Sequence, residues 1–270
     1  MIDFSCIDFS KFSLIDLIIS ITSTIRGKDF CSDFVISELK SKVEEANLYI
    51  NSETDDKKRF KKLLYLFYVR WNFTSSNGVY KLSDSLWIDN VLKNKKGTAI
   101  SLGIIFFHIS KELNFPLSIV LFPTQLILRV DWSKGDKYLV DPFNGQFLND
   151  HILEVWLKGN ISPTAKLNKN DLKADNFLTI IKKVLNTFKT ALMEEKKMDL
   201  ALIANKILLQ ITPNDPYEIR DRGLIYSQLD CDHIALADLI YFIEHCPEDP
   251  ISEIIKIQIH SIEQKKVVLH

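Results

Sequence analysis

Three observations predict an α+β chain that is mostly helical. Amphipathic stretches run to about residue 75; an apolar segment from Thr98 leads into strand-like runs ending near Val140; helical periodicity then returns from about residue 172 to the end. The boundaries that follow are 1–165 for a first domain, with its core at about 80–150, and 172–270 for an all-helical second domain.

The first stretch places Leu14, Leu17, Ile18 and Ile21 on one helical stripe, and Phe60, Leu63, Leu64, Phe67 and Trp71 on another. Asn72 to Gly78 is polar and breaks the pattern. Tyr80 to Lys93 reads as a short helix that Ser83 or Asp84 could cap, with Leu86, Trp87, Ile88 and Val91 apolar. After Gly97, the segment Thr98–Leu113 carries apolar residues nearly all round, the mark of a central buried helix, and Asn114-Phe115-Pro116 ends it. Leu117–Val130 is strand-like but interrupted at Pro123, so it forms two short strands or one with a bulge. Asp131–Gly135 is a hairpin turn with Asp136 on its rim, and Lys137–Val140 is the returning strand. Asp141-Pro142-Phe143-Asn144-Gly145 is a turn, and a helix around Leu153, Val155 and Trp156 follows, with a loop at Gly159–Pro163.

The C-terminal region repeats itself. Pro213-Asn214-Asp215-Pro216 returns as Pro247-Glu248-Asp249-Pro250 at an offset of 34 residues, and Ala201-Leu202 and Leu208 align with Ala235-Leu236 and Phe242. A 34-residue helix–turn–helix period is that of the tetratricopeptide repeat. Gly223 and Ala235 would let two antiparallel helices approach, Tyr226 supplies the aromatic, and Pro247 stops the second helix. The first copy is degenerate, with Lys189 where the second has Gly223. A last helix near 251–265 would cap the stack. Such hairpins leave a binding groove rather than a reaction centre.

Composition narrows the function classes. Hydrophobic residues make up 46% and charged residues 26%, with a net charge of −1. That balance fits a globular protein and gives no reason to expect nucleic acid or a membrane as partner. The basic runs Lys57-Lys58-Arg59 with Lys61-Lys62, and Lys93 with Lys95-Lys96, lie beside Asp55-Asp56 and Asp89 and read as solvated faces. Cys6, Cys31, Cys231 and Cys246 form no CxxC pair and read as small buried residues. Cys231 with His233, and His245 with Cys246, could suggest a metal site, but the 12 residues of helix between the two pairs span roughly 18 Å, too far for both ends to share one ion. Neither metal nor cofactor is expected. The start, Met1-Ile2-Asp3-Phe4, carries no basic leader, and Leu14–Ile21 is too short to span a bilayer, so a cytoplasmic location is expected.

The strings Leu86-Trp87-Ile88-Asp89-Asn90-Val91-Leu92, Gly97-Thr98-Ala99-Ile100-Ser101-Leu102, Phe122-Pro123-Thr124-Gln125-Leu126-Ile127-Leu128-Arg129 and Val140-Asp141-Pro142-Phe143-Asn144-Gly145 carry a resemblance. From about Tyr80 to Gly145 the chain resembles the papain/transglutaminase core. With the C-terminal repeat, nearly the whole chain resembles the SirB-type family of bacterial transglutaminase-like/tetratricopeptide proteins. The resemblance implies a nucleophilic Cys at the tip of the buried helix, a His base on the following strand and an Asp that orients it. On this sequence the Cys position holds Ala99 and the His position Gln125, while Asp141 alone matches. No cysteine lies between Cys31 and Cys231, so a shift of register restores no thiol. A carboxamide does not titrate and cannot act as general base. Asp141, with no His to orient, is expected to hold its own turn.

Ser101 and Asn144 are the nearby polar candidates. His108, on the same apolar helix, reads as a core or edge histidine, and His151 as a helix-start residue. The expectation is therefore a pseudoenzyme: a vestigial cleft at Ala99, Gln125 and Asp141, and a scaffold that binds a protein or peptide. The alternative is an amide or ester hydrolase rebuilt from Ser101 and His151.

Overall fold

The computed structural model describes residues 11–76, 81–133 and 135–268. The chain divides into two compact units, Phe9–Ile181 and one that includes Lys182–His270. Cys6 and Tyr80 lie outside the described residues.

The first unit opens with α1 (Leu14–Arg26), α2 (Ser32–Ile50) and α3 (Asp56–Tyr65). Ser13 caps α1 in a reciprocal pair with Asp16, and Leu14, Leu17, Ile18 and Ile21 form its buried stripe. α3 widens at its end into a π turn over Leu66–Arg70, where the Trp71 N–H reaches the Leu66 carbonyl at 2.8 Å. Two short strands, β1 (Thr74–Ser75) and β2 (Lys96–Gly97), pair in parallel, so the region before residue 75 is not wholly helical.

The helix expected over Tyr80–Lys93 is two pieces in the described part, a 3₁₀ turn at Leu82–Ser85 and α4 (Ile88–Asn94). Trp87 occupies the N-cap of α4 and its side chain does not cap the helix, so neither Ser83 nor Asp84 is the cap; the Ser83 carbonyl accepts the Leu86 and Trp87 N–H groups. Asp89 of α4 is buried and accepts Arg26 Nη1 at 2.8 Å, which ties α4 to the end of α1. Lys95 departs from the expected solvated face: it adopts φ +60°, is half-buried, and reaches Glu38 at 3.4 Å rather than Asp89.

α5 (Ala99–Glu112) is the central helix, and its Leu102, Ile105, Phe106 and Ile109 are wholly buried. Each such side chain contributes about 1.5–3 kcal/mol of burial free energy. Behind α5 lies an antiparallel meander of β3 (Leu117–Leu121), β4 (Leu126–Asp131), β5 (Lys137–Val140) and β6 (Phe147–Leu148). Pro123 falls in the β3–β4 hairpin loop, so the interrupted run resolves into two strands. The register Ile119↔Leu128↔Val140 sets these apolar residues on one face, while Val120 and Ile127 share the other. That second face is covered in part by α6 (Asp150–Asn160), through Leu153 and Leu157.

α7 (Phe177–Glu194) contains the division between the units. It is followed by α8 (Met198–Ile211), α9 (Pro216–Gln228), α10 (Asp232–His245) and α11 (Ser252–Val268). The 34-residue period is visible in the backbone. Lys196 and Asp230, 34 apart, both turn left-handed, at φ 58° and 56°. Asp215 and Asp249 each accept the N–H two residues on, at 3.0 and 2.8 Å. A methyl group added at Gly223 would stand 3.0 Å from Asp238 Cβ and Leu239 Cγ and 3.1 Å from the Ala235 carbonyl, so α9 and α10 meet where a side chain has no room. In the degenerate copy, Lys189 is buried with its Nζ 2.6 Å from both Glu218 and Asp221. Tyr217 of α9 donates to Asp249 at 2.7 Å, linking the two turn segments.

The cysteines depart from expectation. Cys31 is exposed, and Cys231 and Cys246 are half-exposed, because each stands beside a helix terminus: Cys31 and Cys231 are N-caps and Cys246 is a C-cap.

Candidate functional site

The tip of α5 is built by a reciprocal cap. Thr98 Oγ1 accepts the Ser101 N–H at 3.2 Å, and Ser101 Oγ accepts the Thr98 N–H at 2.9 Å. Ser101 then donates its hydroxyl proton to the Ser85 carbonyl at 2.7 Å. Its oxygen is thereby fixed in a structural role, 4% exposed, and none of its partners among the described residues is a histidine. Ala99 follows the cap as the first residue of α5 and presents only a buried methyl group.

Gln125 closes the β3–β4 loop immediately before β4, and its Nε2 and the Thr124 hydroxyl are enclosed without a partner among the described residues. Asp141 directly follows β5 and is 8% exposed. Its Oδ1 accepts the Phe143 N–H at 2.9 Å, its carbonyl accepts the Gly145 N–H at 2.8 Å, and its own N–H reaches the Gln146 carbonyl at 2.9 Å. Asn144 is exposed, and its Oδ1 accepts the Gln146 N–H at 2.9 Å. Both side chains therefore serve the turn.

Gly103 shows how the three elements converge. It lies one helical turn beyond Ala99, on the same face of α5. A methyl group there would stand 2.6 Å from Leu126 Cδ2 and 3.6 Å from Pro142. Leu126 is the neighbour of Gln125, and Pro142 the neighbour of Asp141. The helix tip, the β4 start and the β5 end thus share one end of the helix–sheet contact.

Tyr68, in the π turn, donates its hydroxyl to the Pro142 carbonyl at 3.0 Å and stacks on Phe106 with ring centroids 5.9 Å apart. Burial pushes the Asp141 carboxyl above its ordinary range, against the Phe143 N–H, which lowers it. Burial also pushes the Tyr68 phenol well up, and the Asp141 charge adds to the rise. Burial thus disfavours the charged form of both the carboxyl and the phenol. Periodicity could not reveal the role of Tyr68, because its partner lies 74 residues away. Gly103 did leave a signal, a lone glycine inside an apolar helix.

The histidines stand elsewhere. His108 faces α1 and α2 in a cavity of about 240 Å³ with Ile15, Asp16 and Leu39. Burial lowers its pKa, against the opposing pull of Glu112 and Asp16. His151 is exposed in the first turn of α6.

Residues 33–186 match the transglutaminase-like superfamily, and residues 188–260 match the tetratricopeptide repeat. A UPF0162 protein of Buchnera aphidicola subsp. Schizaphis graminum is 64% identical over 270 residues, all of both chains. Protein SirB1 of Salmonella typhimurium is 51% identical over 263 residues, 97% of each chain. The chain belongs to the SirB-type, UPF0162 family. The UPF0162 protein YchA of Escherichia coli (strain K12) has 50% identity, again over 97% of each chain. In this SirB-type chain the transglutaminase-like match contains Ala99, Gln125 and Asp141, and the tetratricopeptide match contains Gly223, Tyr226 and Ala235. Among the described residues, no helix is long and apolar enough to cross a membrane.

Proposed function

We propose that this SirB-type protein is a non-catalytic scaffold that binds a protein or peptide partner. The observation that carries the reading is the first turn of α5: it offers the methyl of Ala99 where the superfamily's chemistry calls for a thiolate, and of the two hydroxyls beside it, that of Thr98 caps the helix and that of Ser101 is spent on the Ser85 carbonyl. Gln125 supports it, since a carboxamide does not titrate near neutral pH and cannot act as a general base. The repeat supplies the binding side of the argument. On its last helix and the residue before it, Ile251, Ile254 and Ile257 recur at three-residue spacing and are 41%, 61% and 72% exposed. Ile255 and Ile262 are already buried, so the outward isoleucines form a second apolar stripe.

Two measurements test this. A fluorophosphonate probe should leave Ser101 unlabelled; labelling there would establish an enzyme. The double substitution Ile254→Asp with Ile257→Asp should remove the partners retained by the full chain on an affinity column while leaving its helical circular dichroism unchanged. Retention of every partner would assign binding elsewhere.

A further inference from the structure

On the outer face of the meander, opposite α5, Leu153 and Leu157 of α6 pack on Val120 and Ile127, and the half-buried Leu139 and Leu148 lie against that cluster. Arg129 of β4, Leu139 of β5 and Leu148 of β6 form one row across three strands, through the pairs Arg129↔Leu139 and Leu139↔Leu148. A 3₁₀ turn at Lys169–Leu172 forms the facing wall, and together they enclose a cavity of about 500 Å³. The wall is held in place. Arg129 Nη1 donates to the Leu172 carbonyl at 2.6 Å; the Asp175 N–H reaches the Ile119 carbonyl at 3.0 Å, and the Asp175 carboxylate accepts the Leu121 N–H at 2.7 Å.

The lining is amphipathic in a particular way. Leu139, Leu148 and Leu172 make an apolar floor, while Arg129, Lys137, Lys169 and Lys173 stand around it. The nearby acids are Asp150, in the lining, and Asp131, which accepts Arg129 Nε at 2.8 Å and lies 4.0 Å from Lys137. Asp171, on the wall itself, accepts the Asn168 N–H at 2.9 Å, and Asp175 is spent on Leu121, so the two ammonium groups of the lining left without an ion pair among the described residues are those of Lys169 and Lys173, both exposed. A sheet face waiting for another structural layer would carry apolar residues here, not cations. The volume lies within the range of small-molecule sites.

We propose that this cavity binds a small organic phosphate monoester with an apolar body. Its dianionic head matches the two unpaired ammonium groups of Lys169 and Lys173, and its carbon skeleton covers the leucine floor. The site shares no residue with the cleft at Ala99, Gln125 and Asp141, so it stands or falls independently of the scaffold reading.

Calorimetric titration of the full chain with hexyl phosphate tests it. Saturable binding of one molecule per chain is expected, weakened roughly tenfold or more by Lys169→Ala with Lys173→Ala, because both charge-assisted hydrogen bonds to the phosphate are lost. Both side chains are exposed, so an unchanged circular dichroism spectrum of the double variant is expected; Lys137→Glu provides a second variant that should weaken binding in the same way. Inorganic phosphate and 1-hexanol should each bind roughly tenfold more weakly or worse, since each keeps half of the interaction. Absence of saturable binding, equal binding by inorganic phosphate, or binding indifferent to all three substitutions would overturn the proposal. So would a diacidic leucine-containing peptide that binds where hexyl phosphate does not, which would assign the cavity to an acidic protein segment.

Discussion

Replacing Gly145 with alanine isolates the device that closes the sheet end of the candidate site. Gly145 adopts φ +72°, and a methyl group built on it would stand 2.4 Å from Tyr68 Cδ2 and 2.6 Å from Cε2. Two costs follow. The left-handed backbone disfavours alanine by about 1 kcal/mol. The ring must also move, which adds about 1–3 kcal/mol of overpacking and about 1 kcal/mol for the Tyr68 bond to the Pro142 carbonyl. Gly145→Ala should therefore cost about 3–5 kcal/mol. Gly135 supplies the control: its φ is +84° but nothing lies within 4 Å, so Gly135→Ala carries only the backbone part, about 1 kcal/mol. The tryptophans Trp71, Trp87, Trp132 and Trp156 all belong to the first unit, so urea unfolding followed by tryptophan fluorescence reports on that unit alone. Equal losses for the two substitutions would refute the wedge of Tyr68 beneath the turn.

Three further outcomes are expected. Lys189→Ala leaves the buried Glu218 without its cation and should cost about 3–5 kcal/mol, whereas Lys189→Met with Glu218→Met should cost far less; far-ultraviolet circular dichroism melts would read both, and a double variant as unstable as the single one would sink this account of the ion cluster. Because burial raises the Asp141 pKa, the native state holds that proton more tightly than the unfolded chain, so the contribution of Asp141 to stability is present at low pH and is lost as pH rises from about 4 through its raised folded value. Asp141→Asn should accordingly gain on the parent protein between pH 4 and pH 7 in urea titrations, and an unchanged difference would contradict the burial argument. Ala99→Cys with Gln125→His should give a thiol pKa below the ordinary value of about 8.5, read from the pH dependence of alkylation; an ordinary value would show that the two positions do not face each other.

Local chemistry made much of the architecture legible before any coordinates. An apolar residue on every side of a helix can be satisfied only at the centre of a fold, and α5 lies there. A 34-residue recurrence of Pro-x-Asp-Pro marks the turns between α8 and α9 and between α10 and α11, where Asp215 and Asp249 make the same bond two residues on; the intervening turns repeat as well, at Lys196 and Asp230, with matching backbone angles. The misread parts have local causes of a different kind. Ser83 and Asp84 are good capping residues, yet the chain uses a 3₁₀ turn there to deliver the Ser85 carbonyl to Ser101. The cysteines are small and apolar, but helix termini set their exposure. Lys189 breaks the repeat pattern in sequence, and two acids, 29 and 32 residues further on, make its burial tolerable.

By itself, then, the sequence determined the central helix, the strands between 117 and 140, the C-terminal repeat, and the absence of a sulfur or an imidazole from the positions where the family resemblance calls for them. Those follow from periodicity and residue identity, which are local properties of the chain. Only the tertiary structure decided that Tyr68 is wedged under Gly145, that the Ser101 hydroxyl is consumed by the Ser85 carbonyl, and that Arg129, Lys137, Lys169 and Lys173 surround one leucine-floored hollow. Each of these joins side chains separated by several to dozens of residues, and such meetings depend on how the elements pack, which no local pattern encodes.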